Sequence, residues 1–215
     1  MCIQDKISLK QRLFAKFMAN QEELSYEYYK EKKKELFSGL SGQVLEIGPG
    51  TGVNLGFYPK EIKWVGIEPN QAMHHYLRDN AKEHGIEVEL FEGITEEFEI
   101  KDNFFDFVVC TLVLCSVSSV SFLLREIHRV LKPGGKFLFI EHVVDNTNTF
   151  RRLIQKTVPF TPWLYFSDGC HPGRDTAKYI EEAGFSKINY QSYLQDGKGI
   201  IIWVNKPHIY GYAIK

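Results

Sequence analysis

Between Gln43 and His142 the chain alternates short, continuous apolar runs with longer segments whose apolar residues recur every three to four positions. The runs Gln43–Ile47, Lys63–Ile67, Glu87–Phe91, Phe105–Leu112 and Lys136–His142 read as strands buried on both faces. The amphipathic segments Thr51–Phe57, Gln71–Glu83 and Ser119–Leu131 read as helices, the last stopped by Lys132-Pro133-Gly134-Gly135. Strands alternating with helices predict an α/β fold, a mostly parallel sheet with helices on both faces.

The flanks read differently. Residues 1–40, with no Gly or Pro before Gly39, predict an N-terminal helical segment that packs on a domain running over 41–215. Beyond His142 the pattern predicts helices over Asn148–Val158 and Thr176–Ala183, separated by the Pro- and aromatic-rich PFTPWLYFSDGCHPGR. Strand character returns over Lys187–Leu194 and His208–Ile214, giving two late strands after five βα units.

The first strand ends in VLEIGPGTG (44–52), an apolar run, an acid and three alternating glycines. Glycines there let the backbone turn sharply and approach a ligand closely. A dinucleotide fingerprint would put its third glycine where Val53 stands, which disfavours a nicotinamide oxidoreductase. Glu68 closes the second strand, twenty positions after Gly48, where an ionised carboxylate can accept both hydroxyls of a ribose. In an open α/β sheet, ligands bind at the carboxyl ends of the strands. Gly48–Gly52, Glu68, the Gly93-Ile94 turn, Thr111–Ser116 and Glu141-His142 all fall at that edge.

Charge and cysteine content narrow the classes. A net charge of −1 over 215 residues with no long basic block argues against nucleic acid as a partner. Cys2, Cys110, Cys115 and Cys170 lack metal-ligand spacing, so no metal is expected and they read as free thiols of a reducing compartment, the cytoplasm. The longest apolar run, Phe107–Cys115, is far short of the ~20 residues of a transmembrane helix. Ile7, Leu13, Phe14, Phe17 and Met18 interleave with Lys6, Lys10, Arg12 and Lys16 in a basic amphipathic pattern. Such a helix either packs on its own domain, the favoured reading, or makes peripheral membrane contact.

With these residues in hand, the chain resembles the class I S-adenosylmethionine (SAM) methyltransferases. Within them it is similar to the methyltransferase-like family seven, the mammalian thiol methyltransferases. The general motifs are LEIGPGTG, IEPN and LREIHRVLKPGG leading into FLFIEHV; the sharper ones are VVCTLVLCSV (108–117), FSDGC (166–170) and PHIYGYAIK (207–215). The resemblance implies a Rossmann-like fold with seven strands, the last antiparallel, and SAM as cofactor. It implies that Gly48, Gly50, Thr51 and Gly52 surround the methionine and ribose, with Glu46 near the ammonium group. Glu68 would take the ribose hydroxyls, Asn70 and Met73 would lie beside ribose and adenine, and Gly93 and Ile94 would edge the adenine. Thr111 and Leu112 would border the methionine. Ile94 stands where related enzymes often carry an acid, so that bond to the adenine is not implied here. The long hydrophobic anchor with which mammalian members begin is not matched, and their membrane location does not carry over.

Methyl transfer from a sulfonium needs alignment and a dry pocket, and a thiol acceptor gains from a nearby base or cation that raises its thiolate fraction. His142, ending the fifth strand, is the leading candidate, against a purely structural role. Asp168, His171 and Arg174 form the next group: either Arg174 stabilises a thiolate and Asp168 orients His142 or His171, or Asp168 and Arg174 pair with each other to fix the loop. Cys115 and Cys170 are expected to line the core or pocket, since transfer from SAM needs no enzyme thiol. Phe160, Trp163, Tyr165 and Phe166 are read as an acceptor wall or as packing, and Tyr26, Tyr28 and Tyr29 as a cover for the cofactor. The function expected is methyl transfer to a small, apolar thiol; the alternatives are an oxygen, nitrogen or carbon acceptor such as a quinone precursor or lipid, and a SAM-binding protein without catalysis.

Overall fold

The computed structural model describes residues 7–91 and 100–215, apart from the side chain of Phe166. Strands β1 (Gln43–Ile47), β2 (Lys63–Ile67), β3 (Val88–Phe91), β4 (Phe105–Thr111), β5 (Leu131–His142), β6 (Lys187–Leu194) and β7 (Pro207–Ile214) form one sheet. Their order is β3-β2-β1-β4-β5-β7-β6. The first five run parallel, and β7 is antiparallel to both β5 and β6. This is the Rossmann-like, seven-stranded architecture that the resemblance implies. The strand order reverses between β1 and β4, which opens a crevice above their carboxyl ends.

Continuous apolar runs in the central strands are explained by burial on two sides. Leu45, Ile47, Val108, Cys110, Phe137 and Phe139 pack toward α4 (Val120–Val130) and α7 (Thr176–Glu181). The alternate residues Val44, Trp64, Val109 and Leu138 pack toward α2 (Glu22–Phe37) and α3 (His74–His84). The helices begin and end where local chemistry dictates. Ser119 caps α4 by accepting from Phe122 N, and Gly85 ends α3 at φ +68°, a left-handed turn that suits glycine. A capping box of Ser8 and Gln11 starts α1 (Leu9–Asn20). Ala15 of α1 is buried against Ala72 and Met73, so this helix covers the turn that follows β2.

Two expectations about elements need correction. Thr51–Phe57 is not an α-helix; it is a turn followed by a short 3-10 segment, Leu55–Phe57. Gly52 at φ +90° would bring a Cβ within 3.3 Å of the Leu77 backbone, and Asn54 is tied to Glu46, so the segment is pinned in a tighter path. Likewise Gln71–Met73 is a 3-10 turn before α3. Between the two late strands, where no element was expected, Ile200–Val204 folds as the short helix α8 despite its β-branched residues. Helices α5 (Thr149–Thr157) and α6 (Trp163–Phe166) complete the chain between β5 and α7.

Candidate active site

A cavity of about 1310 Å³ lies over the carboxyl ends of β1, β2, β4 and β5. The glycine loop forms its floor. Gly48 sits at φ +65°, and a Cβ there would lie 2.7 Å from Val113 Cγ2, so the backbone approach requires glycine. Gly50 N donates to Glu68 Oε2 at 2.9 Å, and Asn70 N donates to Glu68 Oε1 at 2.8 Å. Burial pushes the Glu68 carboxyl up to about 7, against the opposing pull of these two amides. Each carboxylate oxygen keeps one lone pair toward the cavity, where a diol can donate.

Glu46 lies one layer below. Its carboxylate accepts from Asn54 Nδ2 at 2.7 Å, Tyr58 OH at 2.8 Å and Trp64 Nε1 at 3.0 Å. Asn54 is itself on the cavity wall; its Nδ2 also reaches Thr111 Oγ1 at 3.1 Å, and its buried Oδ1 has no hydrogen-bond partner among the described residues. An orphaned acceptor beside a glycine loop fits the ammonium group of a methionine moiety.

At the far end, β4 stops in a left-handed turn at Leu112, φ +58°, an unusual conformation for a branched residue. The turn aims Val113 N and Leu114 N at Glu141 Oε1, at 2.8 and 3.0 Å. Arg174 then holds the same loop from behind, its Nη1 donating to Leu114 O at 2.6 Å and Val117 O at 2.9 Å. Segment 169–171 lies alongside: His171 N donates to Cys115 O at 3.0 Å, and Gly169, at φ +82°, would bring a Cβ to 3.2 Å from Ser116 O. Cys170 is thereby brought to His142, with Sγ 3.1 Å from Nε2.

Cys115, His142 and Cys170 form a buried cluster whose sulfur and ring-nitrogen atoms all lie within 4.8 Å of one another. The hydrogen bond from Cys170 first, and the His142 charge after burial, hold the Cys115 thiol well below the usual range. Cys170 moves the other way, raised by its bond to Cys115 and by burial. Burial works against charge on His142, but the neighbouring Cys115 outweighs it and carries the imidazole upward. The Cys115 thiol is thus held down chiefly by Cys170, and the His142 ring is carried up chiefly by Cys115.

Of the residues singled out in the sequence, Gly48, Gly50, Thr51, Glu68, Met73, Thr111, Leu112, His142 and Asp168 line this one cavity. Gly52 and Asn70 stand just behind the wall, bonded to Pro49 O and to Glu68. Gly93 and Ile94 lie outside the described residues. Asp168 and Arg174 do not pair with each other; Asp168 meets Lys10 Nζ at 3.5 Å on the rim, and Arg174 is spent on main-chain carbonyls. The tyrosines expected as a cover are elsewhere: Tyr26 stacks on Phe57 and Tyr29 bonds His208 Nε2 at 3.0 Å. The cover is Leu9, Leu13, Phe14 and Phe17 of α1 instead. Trp163 and Tyr165 are on the wall, whereas Phe160 is 90% exposed. Asn54 was missed by the sequence reading; its only signal was a polar residue two positions after Gly52.

A doubly wound sheet with an acidic, glycine-rich first turn and a carboxylate after β2 is the frame of a nucleoside-cofactor enzyme, and the comparisons make it a SAM-dependent methyltransferase. A family model described as a methyltransferase domain matches residues 45–139. Thiol S-methyltransferase TMT1A of Homo sapiens is 39% identical over 196 residues, which is 86% of this chain and 78% of that protein. Thiol S-methyltransferase TMT1B of Rattus norvegicus is 38% identical over 213 residues, 94% of this chain and 86% of that one. Among solved structures, a SAM-dependent methyltransferase from Thermotoga maritima superposes with a TM-score of 0.64 at 22% identity, covering 94% of this chain and 98% of that one. The chain belongs to the thiol S-methyltransferase family of SAM-dependent enzymes.

Proposed function

We propose that the enzyme methylates the sulfur of small, apolar thiols. The observation that carries this reading is that the cavity runs without a break from the glycine loop to the Cys115–His142–Cys170 cluster. Bound SAM supplies an electrophilic methyl group. The protein's own part is to hold the acceptor in line with it and to exclude water. Gly48, Gly50, Thr51 and Gly52 would enclose the cofactor, with Glu68 on its ribose, Asn70 and Met73 beside it, and Thr111 and Leu112 along the methionine. Gly93 and Ile94 are kept as the proposed adenine edge. Asn54 would accept from the ammonium group, with Glu46 fixing the Asn54 amide from below.

His142 is the proposed catalytic residue, because a cationic group beside an incoming sulfur favours its thiolate. Asp168 is proposed to position the rim through Lys10, and Arg174 to position the loop that carries Cys115. We further propose that residues 1–40 cover a methyltransferase domain of 41–215, and that α1 touches membrane surfaces. Its Leu9, Leu13 and Phe17 are exposed at helical spacing beside Lys10 and Lys16. Vesicles that fail to retain the protein would refute that contact. No described helix is long and apolar enough to cross a membrane. Three buried free cysteines support a reducing location, the cytoplasm, and fractionation into an oxidising lumen would refute it.

Labelled SAM offered with small alkyl thiols, a phenol and an amine tests the acceptor. Label in the thioether supports the proposal; label only in the phenol ether or the alkylated amine overturns it.

A further inference from the structure

The cluster at the acceptor end has a composition that hydrogen bonding alone does not explain. His142 is 5% exposed, yet its Nε2 faces a thiol and its Nδ1 has no hydrogen-bond partner among the described residues. Cys115, at 1% exposure, has long contacts of 3.5 Å to Leu112 O and Ser116 Oγ, and otherwise faces Cys170 and His142. Buried polar groups are normally better satisfied than this. Two sulfurs and an imidazole are, however, the donor set of a soft or borderline cation, and zinc takes both at about 2.0–2.3 Å in a tetrahedron.

The geometry supports the same reading. Donor atoms around a tetrahedral zinc stand roughly 3.5 Å apart. Here they all lie within 4.8 Å of one another, with one pair at 3.1 Å. The ligands come from three elements that the fold locks together: the turn after β4, the end of β5, and the 169–171 segment bonded to Cys115 O. All three line the cavity, which is the side from which a fourth ligand would enter. Structural zinc sites are closed by four protein ligands, whereas catalytic ones keep one position for substrate.

We propose that Cys115, His142 and Cys170 bind one zinc ion whose open position faces the cavity and takes the sulfur of the acceptor thiol. The inference rests on the thiol reading above and sharpens it, with His142 supplying a ligand nitrogen. As zinc binds, the Cys170 proton and the proton held by the Cys115–His142 pair pass to solvent, leaving two thiolates and a neutral imidazole as ligands, and the acceptor thiol loses its proton on entering the fourth position. The acceptor sulfur then supplies the electron pair of the new S–CH3 bond. The bond between the methyl carbon and the sulfonium sulfur breaks, its pair staying on that sulfur. The neutral thioether product, a weaker ligand than a thiolate, leaves. Local spacing could not reveal the site, since its ligands meet only through the β4–β5 pairing and the loop beyond.

Cobalt(II) is the probe, added to the full chain after chelation and exchange into a thiol-free reductant. The expected result is one equivalent bound, with a near-ultraviolet thiolate-to-cobalt charge-transfer band that zinc abolishes. Visible bands should change when a small alkyl thiol is added. Cys170→Ser should weaken cobalt binding more than about 100-fold while SAM binding persists. Should that variant fold poorly, the melting temperature of the unaltered protein, expected to rise with zinc, reads the same site. Absence of the band, or its survival in Cys170→Ser, overturns the proposal. So does thiol methylation that runs at an unchanged rate in the metal-free protein, and that outcome leaves the thiol reading standing. Cobalt bands that respond to thiol, with no methyl transfer to any thiol, keep the site and remove the transferase reading.

Discussion

Gly50 and Glu68 are joined between the ends of neighbouring strands, amide to carboxylate at 2.9 Å, so the glycine loop and the end of β2 are set as one unit. Glu68→Ala should break that unit and remove two acceptors for the ribose. We expect SAM binding weaker by ~1–3 kcal/mol, measured by calorimetry. Unchanged affinity in a folded variant would refute the ribose assignment.

The Glu68 carboxyl also gives the protein a pH signature. Burial raises it from 4.5 to about 7. A hydroxyl donor prefers the ionised form, so SAM affinity should fall about tenfold per pH unit below 7. Stability should run the other way. A raised folded value means stability is fully present below 4.5 and lost as pH rises through about 7, a difference on the order of 3 kcal/mol. Denaturant titrations at several pH values, compared between the native protein and Glu68→Gln, isolate this group. Parallel pH profiles for the two proteins would count against it.

His142 makes its contacts at the acceptor end, 3.1 Å from Cys170 and away from the glycine loop. His142→Ala should therefore cut turnover by at least about 10²-fold, the lower range for a group that assists proton or charge transfer. SAM affinity should change little. Steady-state kinetics beside SAM titration separates the two, and equal loss of both would make His142 a structural residue.

How far the sequence reached follows from the same physics. Gln43–Ile47 and Lys63–Ile67 were legible to the residue, because strands covered on both faces must be apolar throughout and end in a polar turn. Glu68 and the glycines were legible because a ligand approached by backbone demands particular residues at fixed spacing. Thr51–Phe57 was not, since its apolar periodicity looked helical while Gly52 and the Asn54–Glu46 bond dictated a turn. Nor was the Cys115–His142–Cys170 cluster, whose members meet only through strand pairing and a loop. The cover of the cavity was misread for a related reason: Tyr26 and Leu13 lie on neighbouring helices, and only tertiary packing decides which faces the crevice.

Arg174 illustrates a residue whose charge serves the main chain. Its two bonds to Leu114 O and Val117 O satisfy carbonyls in the loop that carries Cys115. Arg174→Ala leaves them unpaired, at a cost of ~1–3 kcal/mol of stability. Both bonds come from the single nitrogen Nη1, so Arg174→Lys should recover part of the loss, and only part, because an ammonium is more strongly hydrated and sits on a more flexible stem. Thermal melts of both variants check the order, and a lysine variant as stable as the native protein would refute it.

Glu46 carries the most heavily shared carboxylate in the site, and its substitution separates support from contact. Asn54, Tyr58 and Trp64 all donate to it, and it is 1% exposed. Burial raises its pKa, while those three donors and the Lys33 charge lower it. Lys33 is itself buried, and burial brings its pKa down to about 8. Glu46→Gln places an amide NH2 among three donors, so one of them loses its acceptor. We expect a loss of ~1–3 kcal/mol in stability. SAM affinity should fall as well, because the Asn54 amide would no longer be held. Asn54→Ala should weaken SAM binding with a smaller effect on stability. If Glu46→Gln instead lowers affinity while melting unchanged, Glu46 meets the cofactor directly and its carboxylate turns toward the cavity when SAM binds.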